Sequence, residues 1–208
     1  VEVSFRQGHA NIYGLQRWLD WRVGYRGRTL VDVLRAAREV GLLISICHPT
    51  LTPWEWRVKD TPLELFDCLE VANDPSYPGN DDATLEALAL WTACLNAGHR
   101  IVALGGSDAF HHPPGRSYRG IPERLAQPST YVHAKELSPQ AILDAVRAGR
   151  VYVTLGPRIH FEAICGGPRL GIGDAAAPCG EPIAITARAT GLARDHVLRL
   201  VRCGETVT

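Results

Sequence analysis

Leu42-Leu43-Ile44-Ser45-Ile46-Cys47 is followed at once by His48-Pro49. The first six residues, apolar but for Ser45, have the length and content of a strand buried on both faces, and an imidazole stands where that strand ends. The pattern repeats downstream: Ile101-Val102-Ala103-Leu104 runs into Gly105-Gly106-Ser107-Asp108, with His111-His112 just beyond. In parallel α/β architectures, polar groups placed just past the C-terminal ends of strands converge on one face, where active sites lie. Near the start, Val1-Glu2-Val3-Ser4-Phe5 reads as part of a third strand-turn segment, flanked by Glu2 and His9. Imidazoles and carboxylates from three distant stretches can therefore meet on one rim.

Outward from these strands, three helices are expected. Thr29 and Asp32 form a capping-box-like start, Leu30, Val33, Leu34 and Ala37 recur at helical spacing, and Gly41 suits the position after the end. A second helix is expected from about Asp81 or Asp82 through Leu85, Leu88, Thr92 and Leu95 to Gly98. The third has Ser138 as N-cap and Pro139 at its first position, with Ile142, Ala145 and Val146 on one face and Gly149 after its end. Further strand-length apolar runs are Phe66–Val71, Thr130–Val132 and Val151–Thr154. Strands alternating with such helices predict crossover units and a mostly parallel sheet or barrel. After Pro157, Gly and Pro become frequent and helical periodicity ends, and Ile183–Ala189 and Val197–Val201 read as strands. The expected division is residues 1–157, an α/β domain, and residues 158–208, an incomplete β-rich module.

The 208 residues suffice for one sizeable domain, and 46% hydrophobic with 21% charged residues is ordinary globular composition. Lys plus Arg number 22 and Asp plus Glu number 22, a balance that gives no electrostatic case for nucleic acid or an anionic membrane surface. No apolar run approaches the roughly 20 residues of a membrane span. Cys47, Cys68, Cys94, Cys165, Cys179 and Cys203 are scattered without a CxxC pair and read as buried free thiols. With no Met and with Val1 opening directly into a strand, the chain reads as a fragment, which leaves the compartment open.

Glu2, His9, His48, Asp108 and a member of the His111-His112 pair offer the mixture of imidazole and carboxylate that borderline and hard divalent metals favour. A bound metal lowers the pKa of a water molecule towards 7 and stabilises charge on a leaving oxygen. Glu70 and Asn73, just past another strand, are candidates for holding ligands in orientation. Arg116 and Arg119, following the histidine pair, are candidates for contacting substrate. His99, His133, His160 and His196 lack a matching context and read as surface or core residues.

At these residues the sequence resembles the PHP (polymerase and histidinol phosphatase) superfamily, in its CehA/McbA carbaryl-hydrolase-like branch. The resemblance is carried by Glu2–His9 with Ala10-Asn11-Ile12-Tyr13-Gly14, by Ile46-Cys47-His48-Pro49, by Leu69-Glu70-Val71-Ala72-Asn73, and by Gly98-His99-Arg100 leading to Gly106-Ser107-Asp108. Ala148–Thr154 with Gly156-Pro157 resembles the close of the family's barrel. The resemblance implies a distorted (β/α)7 barrel, here lacking its first strand or strands, followed by a partial β-rich module. It implies two or three divalent ions (Mn, Zn or Fe), with Glu2 as bridging ligand and His9, His48 and Asp108 as further ligands. The family closes its set with Asp-x-His; here Asp108-Ala109-Phe110-His111 is one residue longer, so His111 is favoured as the last ligand, with His112 the alternative. The family's opening His-x-His is expected upstream of Val1.

Three functions follow. The first is a phosphoesterase that uses a metal-bound hydroxide on a small-molecule phosphate ester, with Asp108 and His111 at the reacting centre. The second keeps the metals but cleaves an aryl carbamate or ester, with Trp54, Trp56 and Phe110 as candidate pocket walls. The third is a degenerate, non-catalytic PHP-like domain that binds a partner through its β-rich tail.

Overall fold

The structure, a computed structural model, describes residues 1–109, 117–118, 121–178 and 180–207. Strands β1 (Glu2–Phe5) and β2 (Gly8–Tyr13) form a hairpin across the turn at Arg6-Gln7. Helix α1 (Leu30–Glu39) leads into β3 (Leu43–Ile46), and β4 (Cys68–Ala72), α2 (Asn80–Asn96) and β5 (Val102–Gly105) follow. The hairpin and these three strands make one sheet in the order β1-β2-β3-β4-β5.

Local chemistry accounts for the ends of α1 and α3. The Thr29 side chain accepts the Asp32 N–H at 3.1 Å while Asp32 Oδ2 accepts the Thr29 N–H at 2.8 Å, so two orphan donors are satisfied reciprocally. Its Leu30, Val33, Leu34 and Ala37 face is buried, as the spacing predicts. Past β6 (Ser117–Tyr118), β7 (Ile121–Pro122) and β8 (Ser129–Val132), helix α3 (Pro139–Arg147) begins at Ser138, whose hydroxyl accepts the Ala141 N–H at 3.2 Å. Strand β9 (Val151–Thr154) then pairs antiparallel with β8.

Strands β3 and β4 are buried on both faces, and successive side chains of a strand point to opposite faces. On β3, Ile44 and Ile46 join Val3, Ile12, Leu34 and Leu69 in the larger core. Leu43 faces the other way, with Cys68, Leu104, Val146 and Val151. Cys47, Cys68 and Cys94 are buried free thiols, Cys203 is an exposed one, and Cys179 lies outside the described residues. Cys165 departs from the expectation: it is disulfide-bonded.

The described residues contain no (β/α)7 barrel, and the expectation of a mostly parallel sheet fails with it. Only β3-β4 and β4-β5 are parallel; β1-β2 and β2-β3 are antiparallel. The link from β3 to β4 holds a short 3-10 turn, Leu63–Leu65, where a barrel would need an α-helix. The fold is mixed α/β and rich in strands, with three α-helices among the described residues. The misreading has a local cause: β2, with polar His9 and Asn11 on its solvent-side face, lacks the continuous apolar run that marks a buried strand.

Helix α2 also buries a different face from the one expected. Ala83, Ala87 and Cys94 are buried, whereas Leu85 is 67% exposed and Leu88 and Leu95 are 39% and 41% exposed. Small side chains let the helix approach β4 closely, and leucines on several sides of α2 gave no single stripe from which to choose.

Beyond Pro157, β10 (Arg158–Ile164) is the middle strand of an antiparallel sheet between β11 (Arg169–Leu170) and β12 (Ala184–Thr190). A short hairpin follows, β13 (Val201–Arg202) with β14 (Glu205–Thr206), so of the expected Val197–Val201 strand only Val201 falls within a strand. The hairpin turn touches α2: Asn96 Nδ2 donates to the Cys203 carbonyl at 3.1 Å. No helix among the described residues is long and apolar enough to cross a membrane.

Candidate metal centre

The hairpin register positions the first two ligand candidates. Glu2 pairs with Asn11 and Ser4 with His9, so Glu2 and His9 are diagonal neighbours on one face of the ribbon. The Cys47 N–H donates to the His9 carbonyl at 3.0 Å, which holds the end of β3 beside His9. His48 then takes φ 27°, a backbone that non-glycine residues seldom adopt and that is found most often at functional sites.

The result is a three-residue cluster. His9 Nδ1 lies 2.9 Å from Glu2 Oε1 and 3.2 Å from His48 Nε2, and the three ligand atoms all fall within 4.8 Å of one another. Burial, and after it the neighbouring His9, hold the His48 pKa below the ordinary imidazole value, which favours the neutral ring with a lone pair to offer. His9 Nδ1 can carry at most one hydrogen, so it cannot satisfy both neighbours by donating to them. One shared cation can. Ligand atoms about 2.0–2.1 Å from a metal stand about 2.9–3.4 Å apart in octahedral or tetrahedral arrangements, and both contacts of His9 Nδ1, at 2.9 and 3.2 Å, fall in that range. The trio fits a divalent metal.

The cluster opens on a cavity of about 800 Å³. Asp108 lines it too, from the turn after β5, with φ 48°. It stands outside the tight trio, yet burial and then the Glu2 and Asp74 carboxylates push its pKa above the usual carboxylate range. Proximity of like charges in a partly desolvated cleft is a state that a cation would relieve.

Glu70 and Asn73 sit behind the cluster. Glu70 Oε2 accepts the His48 backbone N–H at 2.8 Å and the Asn73 Nδ2–H at 3.0 Å. Burial raises the Glu70 pKa to about 7, against the pull of those two donors. Asn73 lines the cavity, whereas Glu70 lies beneath it.

Of the aromatic candidates, Trp54 lines the cavity and meets Tyr77 edge-on at 5.3 Å between ring centroids. Trp56 packs on Phe66 beside the larger core. Phe110, His111, His112, Arg116 and Arg119 lie outside the described residues. His99, His133, His160 and His196 do not line the cavity. Asp74, Tyr77 and Glu123 do, and went unnoticed in the sequence. Asp74 was within reach of the strand-end rule, since it follows Asn73; Glu123 had no signal, because only the path of the chain after β7 brings it in.

No family model matches the chain, and no curated protein matches it. Among solved structures, the chain is similar to a two-domain protein from Bacteroides vulgatus containing a predicted PHP-like metal-dependent phosphoesterase. The match has 21% identity and a TM-score of 0.47, over 74% of this chain and 43% of that one. The aligned part thus spans less than half of that protein's length.

Proposed function

We propose that this chain carries the metal site of a hydrolase that cleaves a phosphate ester. The observation that supports the reading is the convergence of one carboxylate oxygen and two imidazole nitrogens, from Glu2, His9 and His48, within 4.8 Å at the mouth of a cavity. A divalent cation held there supplies Lewis acidity, which lowers the pKa of water and stabilises charge on a leaving oxygen. Glu2, His9 and His48 hold the ion, and Asp108 joins them from the turn after β5. The cavity of about 800 Å³ is large enough for a small-molecule substrate.

A second reading has a specific observation in its favour. Trp54, Tyr77 and Leu51 wall the same cavity, which suits an aryl ester or carbamate more than a small charged phosphate. One experiment separates the readings. The protein is loaded with Mn²⁺ or Zn²⁺ and assayed against an aryl phosphate and an aryl carbamate, alongside His48→Ala. Phosphate turnover that depends on metal and on His48 supports the first reading, and faster carbamate turnover the second. No turnover of either ester, by a protein that purifies without metal, would leave a non-catalytic binding domain.

A further inference from the structure

We infer that Glu70 is a positioning residue that holds the His48 turn and the Gly106-Ser107-Asp108 turn in register with each other. The inference rests on the metal-site reading above and adds a part to it. Glu70 makes no contact with the proposed ion; it acts through two stretches of backbone.

One carboxylate oxygen, Oε2, is fixed by two donors, the His48 N–H at 2.8 Å and Asn73 Nδ2 at 3.0 Å. The bond to His48 meets the chain at the residue whose φ is 27°. Such a backbone persists only where its surroundings over-determine it, and a hydrogen bond from its own N–H to a buried carboxyl oxygen is a direct means of doing so. The other oxygen, Oε1, fills the space where a side chain at residue 106 would be. A β-carbon on Gly106 would stand 2.2 Å from Oε1 and 3.2 Å from Glu70 Cδ. The Gly106 N–H is tied in turn to the Ala72 carbonyl at 3.1 Å, and Asp108 follows two residues later with φ 48°.

The strand pairing explains how one side chain reaches both turns. Along β4 and β5, Glu70 pairs with Leu104 and Ala72 with Gly105, so the register shifts between Glu70 and Ala72. Irregularities of this kind re-aim side chains and are over-represented beside active sites. Here the shift leaves Glu70 buried, at 7% exposure, between the ends of β3 and β5. The absence of a side chain at Gly106 thus leaves room for Glu70 Oε1, and both residues serve the placement of His48 and Asp108.

The test measures Co²⁺ affinity and the visible absorption of the Co²⁺-loaded full-length protein, with thermal unfolding of the metal-free form as control. Glu70→Ala should weaken Co²⁺ binding about 10- to 100-fold and alter the ligand-field bands. Glu70→Gln keeps an acceptor oxygen for both donors and should stay within a few-fold of wild type. Gly106→Ala should weaken binding as Glu70→Ala does, yet add nothing on the Glu70→Ala background, since the colliding oxygen is gone. Should Glu70→Ala fail to fold, Gly106→Ala with Glu70→Asp, whose shorter carboxylate withdraws from residue 106, should bind Co²⁺ at least about tenfold tighter than Gly106→Ala alone. Unchanged affinity and spectrum in Glu70→Ala, or independent effects at residues 70 and 106, overturn the inference while leaving the metal site intact. A wild-type protein that binds no Co²⁺ removes the metal-site reading and this inference together.

Discussion

The indole of Trp56 presses on the backbone of Gly8, so that a β-carbon there would stand 2.6 Å from Trp56 Cε3 and 3.2 Å from Trp56 Cα. Gly8 also has φ 145°, which residues with side chains rarely adopt, and it directly precedes His9. Gly8→Ala is therefore expected to cost about 1–3 kcal/mol of stability, through collision and backbone strain together. Chemical denaturation of the metal-free protein measures it. A Gly8→Ala variant as stable as wild type would show that the hairpin turn does not lie under Trp56.

The buried face of α2 gives a test of opposite character. Ala87 is 3% exposed against the sheet, and Leu85 is 67% exposed. Ala87→Leu is expected to cost about 1–3 kcal/mol by overpacking, and Leu85→Ala to stay within about 0.5 kcal/mol of wild type. The reverse order of effects would mean that α2 packs on its leucine face.

The sequence was informative where one short signal was sufficient. The caps at Thr29 and Ser138 placed the starts of α1 and α3, and the apolar run at Leu43–Ile46 placed β3 and, after it, His48. What it concealed depended on pairing between distant segments. The hairpin of β1 and β2 turns what reads as a parallel rim into a mixed sheet, and β10, with His160 and Glu162 among apolar neighbours, escaped notice. The same holds at the site. His48 and Asp108 were singled out by their places after strands, and they line one cavity with Glu2 and His9, which stand inside the hairpin strands instead. Glu123 was not, because nothing local distinguishes it from any other acidic loop residue.

Glu70 gives a pH dependence with a definite sign. Burial lifts its pKa to about 7 in the folded, metal-free protein, above the ordinary glutamate value of 4.5. Between those values the native state binds more protons than the unfolded state, so this group makes stability fall as pH rises from about 4.5 to about 7. Glu70→Gln removes the titrating proton and should flatten that limb of the stability curve. Parallel curves for the two proteins, measured by denaturation across this range, would count against a buried, protonatable Glu70.

Asp108 should link metal binding to proton release. Its carboxyl is raised above the ordinary range by burial and by Glu2 and Asp74, and a cation nearby would lower it again. Calorimetric titration of Mn²⁺ in mildly acidic solution, in buffers of different ionisation enthalpy, should therefore report protons released on binding. Asp108→Asn should reduce that number. An unchanged count in the variant would place Asp108 outside the influence of the ion.

The cation-holding trio can be examined most directly by metal analysis of the purified full-length protein, beside His9→Ala and His48→Ala. Wild type should retain at least one tightly held divalent ion per chain, and each variant should lose it while keeping its fold, as judged by circular dichroism. A wild-type protein without bound metal, or a His48→Ala variant that holds metal as firmly as wild type, would contradict the assignment of Glu2, His9 and His48 as a shared metal site.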